Sequence, residues 1–266
     1  MGEDRLALAE RAAGRGAAVA MDSFRTTVGV ATKDHKNDLV SEVDEAAQAR
    51  VVETIRAESD APIVGEEADA ATTKTVPTSG PAWIVDPIDG TANYLRGIRL
   101  WTTSIAAVED GRPVAAASVA PALDDTYLAG PAGATLNEAE IAVSERADVE
   151  TFAVAALGWG PHGEREDYGR LASEIVAQCG DLRRFGSMQL ALAFVASGAL
   201  DAAITTRRPN PWDSVAGAHT IREAGGRVTD LSGAEWRHDS DVLIASNGTR
   251  HDEVRAVARA ALTDGA

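Results

Sequence analysis

The chain has 266 residues, 45% of them hydrophobic and 25% charged, enough for one large domain or two small ones with a sizeable core. A net charge of −16 speaks against a nucleic-acid partner, because phosphate backbones need a basic stripe and the sequence has none. No apolar run approaches the roughly 18 to 20 residues of a membrane span, and the start, MGEDRLALAERAAGRG, lacks the basic and apolar pattern of a signal peptide.

Cys179 is the only cysteine, which excludes an internal disulfide and fits a reducing cytoplasm. Lysine occurs only as Lys33, Lys36 and Lys74. An acidic, lysine-poor, alanine-rich surface resembles proteins of salt-accumulating hosts; a GC-rich genome, with acidity serving solubility alone, is the plainer alternative.

In chain order, Leu6, Ala9, Ala13, Ala17 and Ala20 mark one helix by their spacing. Leu39, Val43, Ala47, Val51 and Ile55 mark a second, with Asp38 near its start. Two short apolar runs follow, one ending in Gly65-Glu66-Glu67 and one, Trp83-Ile84-Val85, ending in Asp86. Between them, residues 69–80 read as an acidic surface loop. Residues 101–109 and 113–120 form a hairpin around Asp110-Gly111, with further strands near 126–129 and 140–143. The second half alternates: strand 152–157, helix 164–178, a strand near Leu182, helix 188–197, strand 200–205, helix 211–224, strands near 227–229 and 242–245, helix 249–262. An antiparallel-rich first half (1–137) and an α/β second half (138–266) are expected to form one compact unit, with the seam near 137–150.

The chemistry centres on WIVDPIDGTANY, residues 83–94. Proline biases Asp86 toward extended geometry, so Asp86 is expected to finish a strand and a turn to bring Asp89 beside it. Two carboxylates so close need a cation between them. With Gly90-Thr91 opening a helical turn whose N–H groups can hold phosphate, the pattern suggests Mg2+ bridging to phosphoryl oxygens. An Asx turn is the purely structural alternative. Glu66 and Glu67 alone read as a solvated strand end, and Asp44 as a solvated helix residue. In Asn210-Pro211-Trp212-Asp213-Ser214, Asn210 can cap, Pro211 suits the first helical position, and Asp213 falls in the first turn. His219, on the same apolar face as Trp212, reads as a packed core or interface residue rather than a ligand.

Taken together, GEE, WIVDPIDGTANY and PWDSVAGAHTIREAGGRV resemble the inositol monophosphatase family, the lithium-sensitive type of Mg2+-dependent phosphomonoesterase, with signatures W-x-[IV]-D-P-[IL]-D-G-T and W-D-x-x-[AG]-[AG]. Lys33 with the run Asp38 to Asp44 is similar to the family's mobile loop and following helix, Asn137 to Ser144 to its N-G-x-x-I-x-V-S segment, and Phe185-Gly186-Ser187 to its S-G-[ST] turn. The resemblance spans nearly the whole chain. It implies a layered α-β-α-β-α sandwich, α/β (α+β) in class, that hydrolyses small phosphate monoesters by direct attack of metal-bound water.

The resemblance also implies roles. Glu66, Asp86 and the carbonyl of Ile88 hold one Mg2+; Asp86, Asp89 and Asp213 hold a second, with a third ion or Mn2+ in place of Mg2+ also compatible. Gly90 and Thr91 cradle the phosphate through N–H groups. Thr91, bonded to Asp44, orients and deprotonates the attacking water together with Glu66. Asp89, Asp213, Gly186 and Ser187 line the place for the alcohol part.

Where inositol-specific members carry a glutamate, this chain has Thr206, followed by Arg207 and Arg208. That pair is either a surface pair or a site for a second phosphate, as fructose-1,6-bisphosphate would offer. Histidinol phosphate and 3'-phosphoadenosine 5'-phosphate stand as alternatives of the same fold. A catalytically idle metabolite-binding relative is the rival of another class, and the retention of Glu66, Asp86, Asp89, Thr91 and Asp213 argues against it. A homodimer is expected from the resemblance, with contacts around 101–120 and 152–159.

Overall fold

The computed structural model describes residues 2–26, 30–32, 39–67, 70–163 and 165–263. Two helices come from the first quarter of the chain, α1 (Gly2–Ser23) and α2 (Glu42–Arg56), and between them the strands β1 (Val30–Thr32) and β2 (Leu39–Ser41) pair antiparallel. Lys33 and Asp38 lie outside the described residues. Seven strands follow: β3 (Ile63–Gly65), β4 (Pro81–Asp89), β5 (Thr102–Glu109), β6 (Arg112–Ala120), β7 (Asp125–Gly130), β8 (Gly133–Leu136) and β9 (Ala139–Glu140). They form one sheet in chain order, with only β3 and β4 parallel. The short helix α3 (Thr91–Leu95) leaves the end of β4.

The second half supplies β10 (Ala153–Leu157), α4 (Glu166–Gln178), β11 (Asp181–Arg183), α5 (Met188–Ala196), β12 (Ala202–Thr205), α6 (Pro211–Glu223), β13 (Arg227–Thr229), β14 (Ile244–Ser246) and α7 (His251–Thr263). The five strands order as β11-β10-β12-β14-β13.

The elements stack in five layers. Helices α1 and α2 cover one face of the larger sheet; α5 and α6 lie between the two sheets; α4 and α7 close the far face of the smaller sheet. The expected layered sandwich is what the chain forms. The cause is visible in the helices. Both α5 (MQLALAFVA) and residues 214–221 of α6 are buried at nearly every position, as helices pressed between two sheets must be. By contrast α4 buries only Tyr168, Leu171 and Ile175, one stripe of an outer-layer helix. Helices α5 and α6 approach so closely that a Cβ on Gly217 would stand 2.5 Å from the Cβ of Leu192. Strands β4 and β5 are buried at consecutive positions because both faces of their sheet are covered.

Several expectations need correction. Helix α2 begins at Glu42, not Leu39: Leu39–Ser41 is a strand, and Ser41 with Asp44 three residues on is a helix-start pattern that outweighs the apolar spacing. Strand β8 was not expected. Residues 141–143 are not a strand; the chain there crosses toward α6, where the Val143 N–H donates to the Ala224 carbonyl at 3.1 Å. The smaller sheet is mixed, since β14 runs antiparallel to both β12 and β13. The hairpin turn at Asp110-Gly111 is as expected, with φ of 51° and 71° at its two residues, the geometry that matches strand twist.

The strands proposed for a dimer contact, β5 and β6, lie within the chain between α1 and α6, and Trp101–Val108 are all buried. Within the two stretches expected to carry a dimer contact, the surface left exposed or half-buried includes Arg112–Val114 and Trp159. His219 is buried in α6, as expected. Among the described residues, no helix is long and apolar enough to cross a membrane.

Candidate active site

The carboxylates converge through a defect in one strand. Asp86 does not end β4; the strand runs on to Asp89. In a regular strand, residues three apart point to opposite faces. Here Asp86 pairs with Ser104 and Asp89 with Thr102, so three steps on β4 match two on β5. One extra residue is absorbed, and Asp86 and Asp89 are brought to one side. Pro87, which has no N–H to lose, sits in the irregular stretch, and its carbonyl accepts from Thr103 Oγ1 at 2.7 Å. Asp213, in the first turn of α6, completes the group: carboxylate oxygens of Asp86, Asp89 and Asp213 all lie within 4.8 Å of one another.

Helix α5 fixes this arrangement. The Asp89 carboxylate accepts from the Met188 N–H at 3.1 Å, the Gln189 N–H at 2.7 Å and the Ser187 hydroxyl, capping the helix. Gln189 in turn donates to the Trp212 carbonyl at 2.5 Å and accepts from the Gly217 N–H at 2.7 Å. Asp89 and Asp213 are therefore joined through α5 and the start of α6. Asn210 Nδ2 donates to Asp213 at 2.9 Å.

The electrostatics follow from crowding. Burial first, and Asp213 next, hold the Glu66 carboxyl well above the usual carboxylate range. Burial, then Glu66 and Asp89, do the same to Asp86. Asp89 is pushed up to about 6 by burial, against the opposing effect of its hydrogen bonds to α5. Asp213 is pushed up to about 7 by burial and the charge of Asp89. Both oxygens of Asp86 are buried and accept no hydrogen bond from the described residues; the polar group they do meet is the Glu66 carboxyl, which Asp86 can bond only by holding a proton. A buried, unpartnered carboxylate among three others requires a proton or a cation. An all-carboxylate donor set fits a hard divalent ion such as Mg2+ or Mn2+.

Beside the carboxylates, the Thr91 hydroxyl lies 3.3 Å from Asp44 Oδ1 and 3.1 Å from the Ile88 carbonyl, so the expected Thr91–Asp44 pair is present. Asp44 is buried, not solvated. Gly90, with φ of 97°, opens α3, and a Cβ there would stand 3.0 Å from the Leu100 carbonyl oxygen; glycine alone suits this corner. The first N–H groups of α3 have no partner within the helix by geometry. Asp89, Asp213, Gly186 and Ser187 line a cavity of about 650 Å³, within the range of small-molecule sites.

Some features were not read from the sequence. Glu67 is buried, not a solvated strand end; its backbone N–H and carbonyl are clamped by the Gln48 amide at 2.9 and 3.0 Å. The described part of the loop after it, residues 70–80, is more than a surface loop. Thr73 bridges to Val64, and Lys74 Nζ donates to the Gly65 carbonyl at 2.9 Å and to that of Glu66. The same ammonium lies 4.9 Å from the ring centre of Trp212. Lys74 thus ties the Glu66 strand end to the residue before Asp213. A lone lysine in an acidic stretch offered no pattern that could have found it.

Comparison with known proteins agrees with this geometry. The sequence profile of the inositol monophosphatase family matches residues 2–263. A fructose-1,6-bisphosphatase/inositol-1-monophosphatase of Thermotoga maritima is 37% identical over 220 residues, covering 82% of this chain and 81% of that protein. A histidinol-phosphatase of Mycobacterium tuberculosis is 35% identical over 233 residues, covering 83% and 85%. Among solved structures, an inositol monophosphatase of Thermotoga maritima superposes with a TM-score of 0.88 at 33% identity, over 98% of this chain and 99% of that one. With likeness along nearly its full length, and the two signature segments meeting at one carboxylate-lined cavity, this chain belongs to the metal-dependent inositol monophosphatase family and is a phosphoric monoester hydrolase.

Proposed function

We propose that the protein hydrolyses a small polyol or sugar phosphate, such as inositol-1-phosphate or fructose-1,6-bisphosphate, with Mg2+ as cofactor. The observation that carries this reading is Asp86, whose two buried oxygens lack partners while Asp89 and Asp213 converge on the same point. Glu66, Asp86, Asp89, Asp213 and the Ile88 carbonyl would hold the ions. Divalent cations there supply acidification of water and neutralisation of charge on the phosphoryl oxygens.

The chain's own groups do the rest. Thr91 donates a hydrogen bond to Asp44 or to the Ile88 carbonyl, so its oxygen keeps lone pairs to accept a hydrogen bond from, and so orient, a water molecule. Glu66, with its proton affinity raised by burial and by Asp213, would take the proton that this water loses. Water's oxygen forms the new bond to phosphorus as the bond to the alcohol oxygen breaks, and that oxygen takes a proton from solvent as the alcohol departs. The N–H groups of Gly90 and Thr91 would hold phosphoryl oxygens in line for this attack. Asp89 and Asp213, which line the cavity together with Gly186 and Ser187, would face the alcohol part. Arginines in the wall of that cavity make a cationic alcohol such as histidinol the less favoured leaving group.

The test is phosphate release from inositol-1-phosphate, fructose-1,6-bisphosphate, histidinol phosphate and 3'-phosphoadenosine 5'-phosphate, with Mg2+ and after chelation. Release that requires Mg2+ from a polyol or sugar phosphate is expected. Undiminished turnover after thorough chelation would contradict the metal-assisted reading, and no release from any ester would favour an idle relative.

A further inference from the structure

The cavity that holds the carboxylates has a second chemical character. Its lining also includes Arg184, Arg207 and Arg208, together with Trp159 and Tyr168. These arginines differ in their ties. Arg208 is paired with Asp241 at 2.7 Å. The charge of Arg207 reaches Asp213 and opposes the rise in that residue's proton affinity. Arg184 has no carboxylate partner among the described residues, in a chain with 41 acidic side chains against 25 basic ones; the polar side chain it does meet is the Tyr168 hydroxyl.

Arg184 is nonetheless held in place. Its guanidinium carbon lies 4.5 Å from the centre of the Trp159 ring. Trp159 is 44% exposed but braced. The Arg165 guanidinium lies 4.3 Å from the same ring centre, and Arg165 Nε donates to the Gly160 carbonyl at 2.8 Å. The edge of Tyr168 meets the ring at 4.8 Å and 85°, and the Tyr168 hydroxyl donates to the Ala156 carbonyl at 3.1 Å. A guanidinium held over an aromatic ring and tied to one hydroxyl still has several of its five N–H donors left for a planar or tetrahedral anion. The stacking also restrains the side chain beforehand, which lowers the entropy lost on binding.

We propose that Arg184, seated on Trp159 and assisted by Arg207, is a subsite for a second anionic group on the substrate, a phosphate or carboxylate carried by the alcohol part. This rests on the phosphomonoesterase reading above and narrows its substrate class. Burial of Thr206 beside the exposed Arg207 agrees with a wall that offers cations rather than a hydroxyl-gripping carboxylate at this end of the cavity.

The test uses three esters that share one reacting phosphate at C1 and differ only at C6: glucose 1-phosphate with a hydroxyl, glucuronic acid 1-phosphate with a carboxylate, and glucose 1,6-bisphosphate with a phosphate. Release from C1 is followed in the Mg2+-loaded wild type, Arg184→Met and Arg184→Lys. Hydrogen bonds to charged groups predict a wild-type kcat/KM about tenfold to a hundredfold higher for one anionic ester than for glucose 1-phosphate. Which of the two anionic esters gains identifies the anion. In Arg184→Met, which keeps the stem against Trp159, that ratio is expected to fall at least fivefold, with partial recovery in Arg184→Lys. An equal loss on all three esters, or a wild type without preference, would overturn the subsite. No release from any ester would instead contradict the phosphomonoesterase reading on which it rests.

Discussion

Replacing Asp86 by Asn is expected to make the metal-free protein more stable while destroying its response to Mg2+. Asp86 shares its site with Asp89 and Asp213 at oxygen separations within 4.8 Å, and no described residue donates to it. At that distance and an effective dielectric of about 20, each pair of like charges costs roughly 3 kcal/mol. The site relieves part of this by retaining protons, so the net gain from removing one charge is about 1–3 kcal/mol. The new amide can also donate to its neighbours' carboxylates. For a chain of this size that is a rise in Tm of about 3–10 °C.

The sign depends on pH. A carboxyl whose folded pKa is raised stabilises below its unfolded value and loses that contribution as pH rises through the folded one. With Asp89 at about 6, Asp213 at about 7 and Asp86 itself raised, the advantage of Asp86→Asn should be near zero at pH 4 and grow as pH rises to 8. Mg2+ at tenfold to a hundredfold its dissociation constant then stabilises the wild type by about 1.4–2.7 kcal/mol and the variant by little. Calorimetric scans of both proteins in chelator and in Mg2+, at pH 5 and pH 8, read these shifts. If metal-free Asp86→Asn melts below the wild type at pH 8, or if Mg2+ shifts both proteins equally, the reasoning fails.

Lys74→Met keeps the stem near Trp212 but loses the bonds to the Gly65 and Glu66 carbonyls. Loss of a nearby positive charge by itself would tighten Mg2+ binding, whereas loss of Glu66 positioning weakens it. Weakening by about threefold to tenfold in isothermal titration is expected, and tightening would show that Lys74 acts only through its charge. Asp89→Asn should lower kcat by two decades or more, but it also weakens the α5 cap, so Tm must be followed alongside the rate. Glu67→Gln is no innocent control, since Glu67 is buried; a fall in Tm without a change in Mg2+ affinity is expected. His219 and His251 are buried and lowered to about 4, mainly by desolvation, so their stabilising contribution is present above pH 6.5 and lost as pH falls toward 4. A Tm in Mg2+ that did not fall over this window would contradict their neutral burial.

The carboxylate set was legible because it is written in local patterns, DPID followed by GT and WD after Pro211, that fix backbone direction. How Asp86 and Asp89 meet was not. A three-residue spacing implies opposite faces until the partner strand's register is known, and the irregularity between β4 and β5 lies in the pairing. The five layers were expected only through resemblance, although α5, apolar at every position but Gln189, already indicated a helix covered on every side. Leu39 was misplaced because apolar spacing extended the helix past Ser41, and the strand pairing there depends on Val30–Thr32, which lie before it in the chain. Lys74 and Arg184 went unread for a related reason. Their partners, the Glu66 carbonyl and the Trp159 ring, are neighbours in space, and single cationic residues carry no periodic signal.

The central claim is that Asp86, Asp89 and Asp213 converge to hold divalent cations for ester hydrolysis. Crystals grown or soaked in Mn2+ test it through anomalous scattering, which locates the ion without reference to activity. The account predicts an anomalous peak in direct contact with Asp86 and at least one of Asp89 and Asp213, abolished in Asp86→Asn. Saturating Mn2+ that leaves this position empty, with Asp86 still buried and unpartnered, would contradict it.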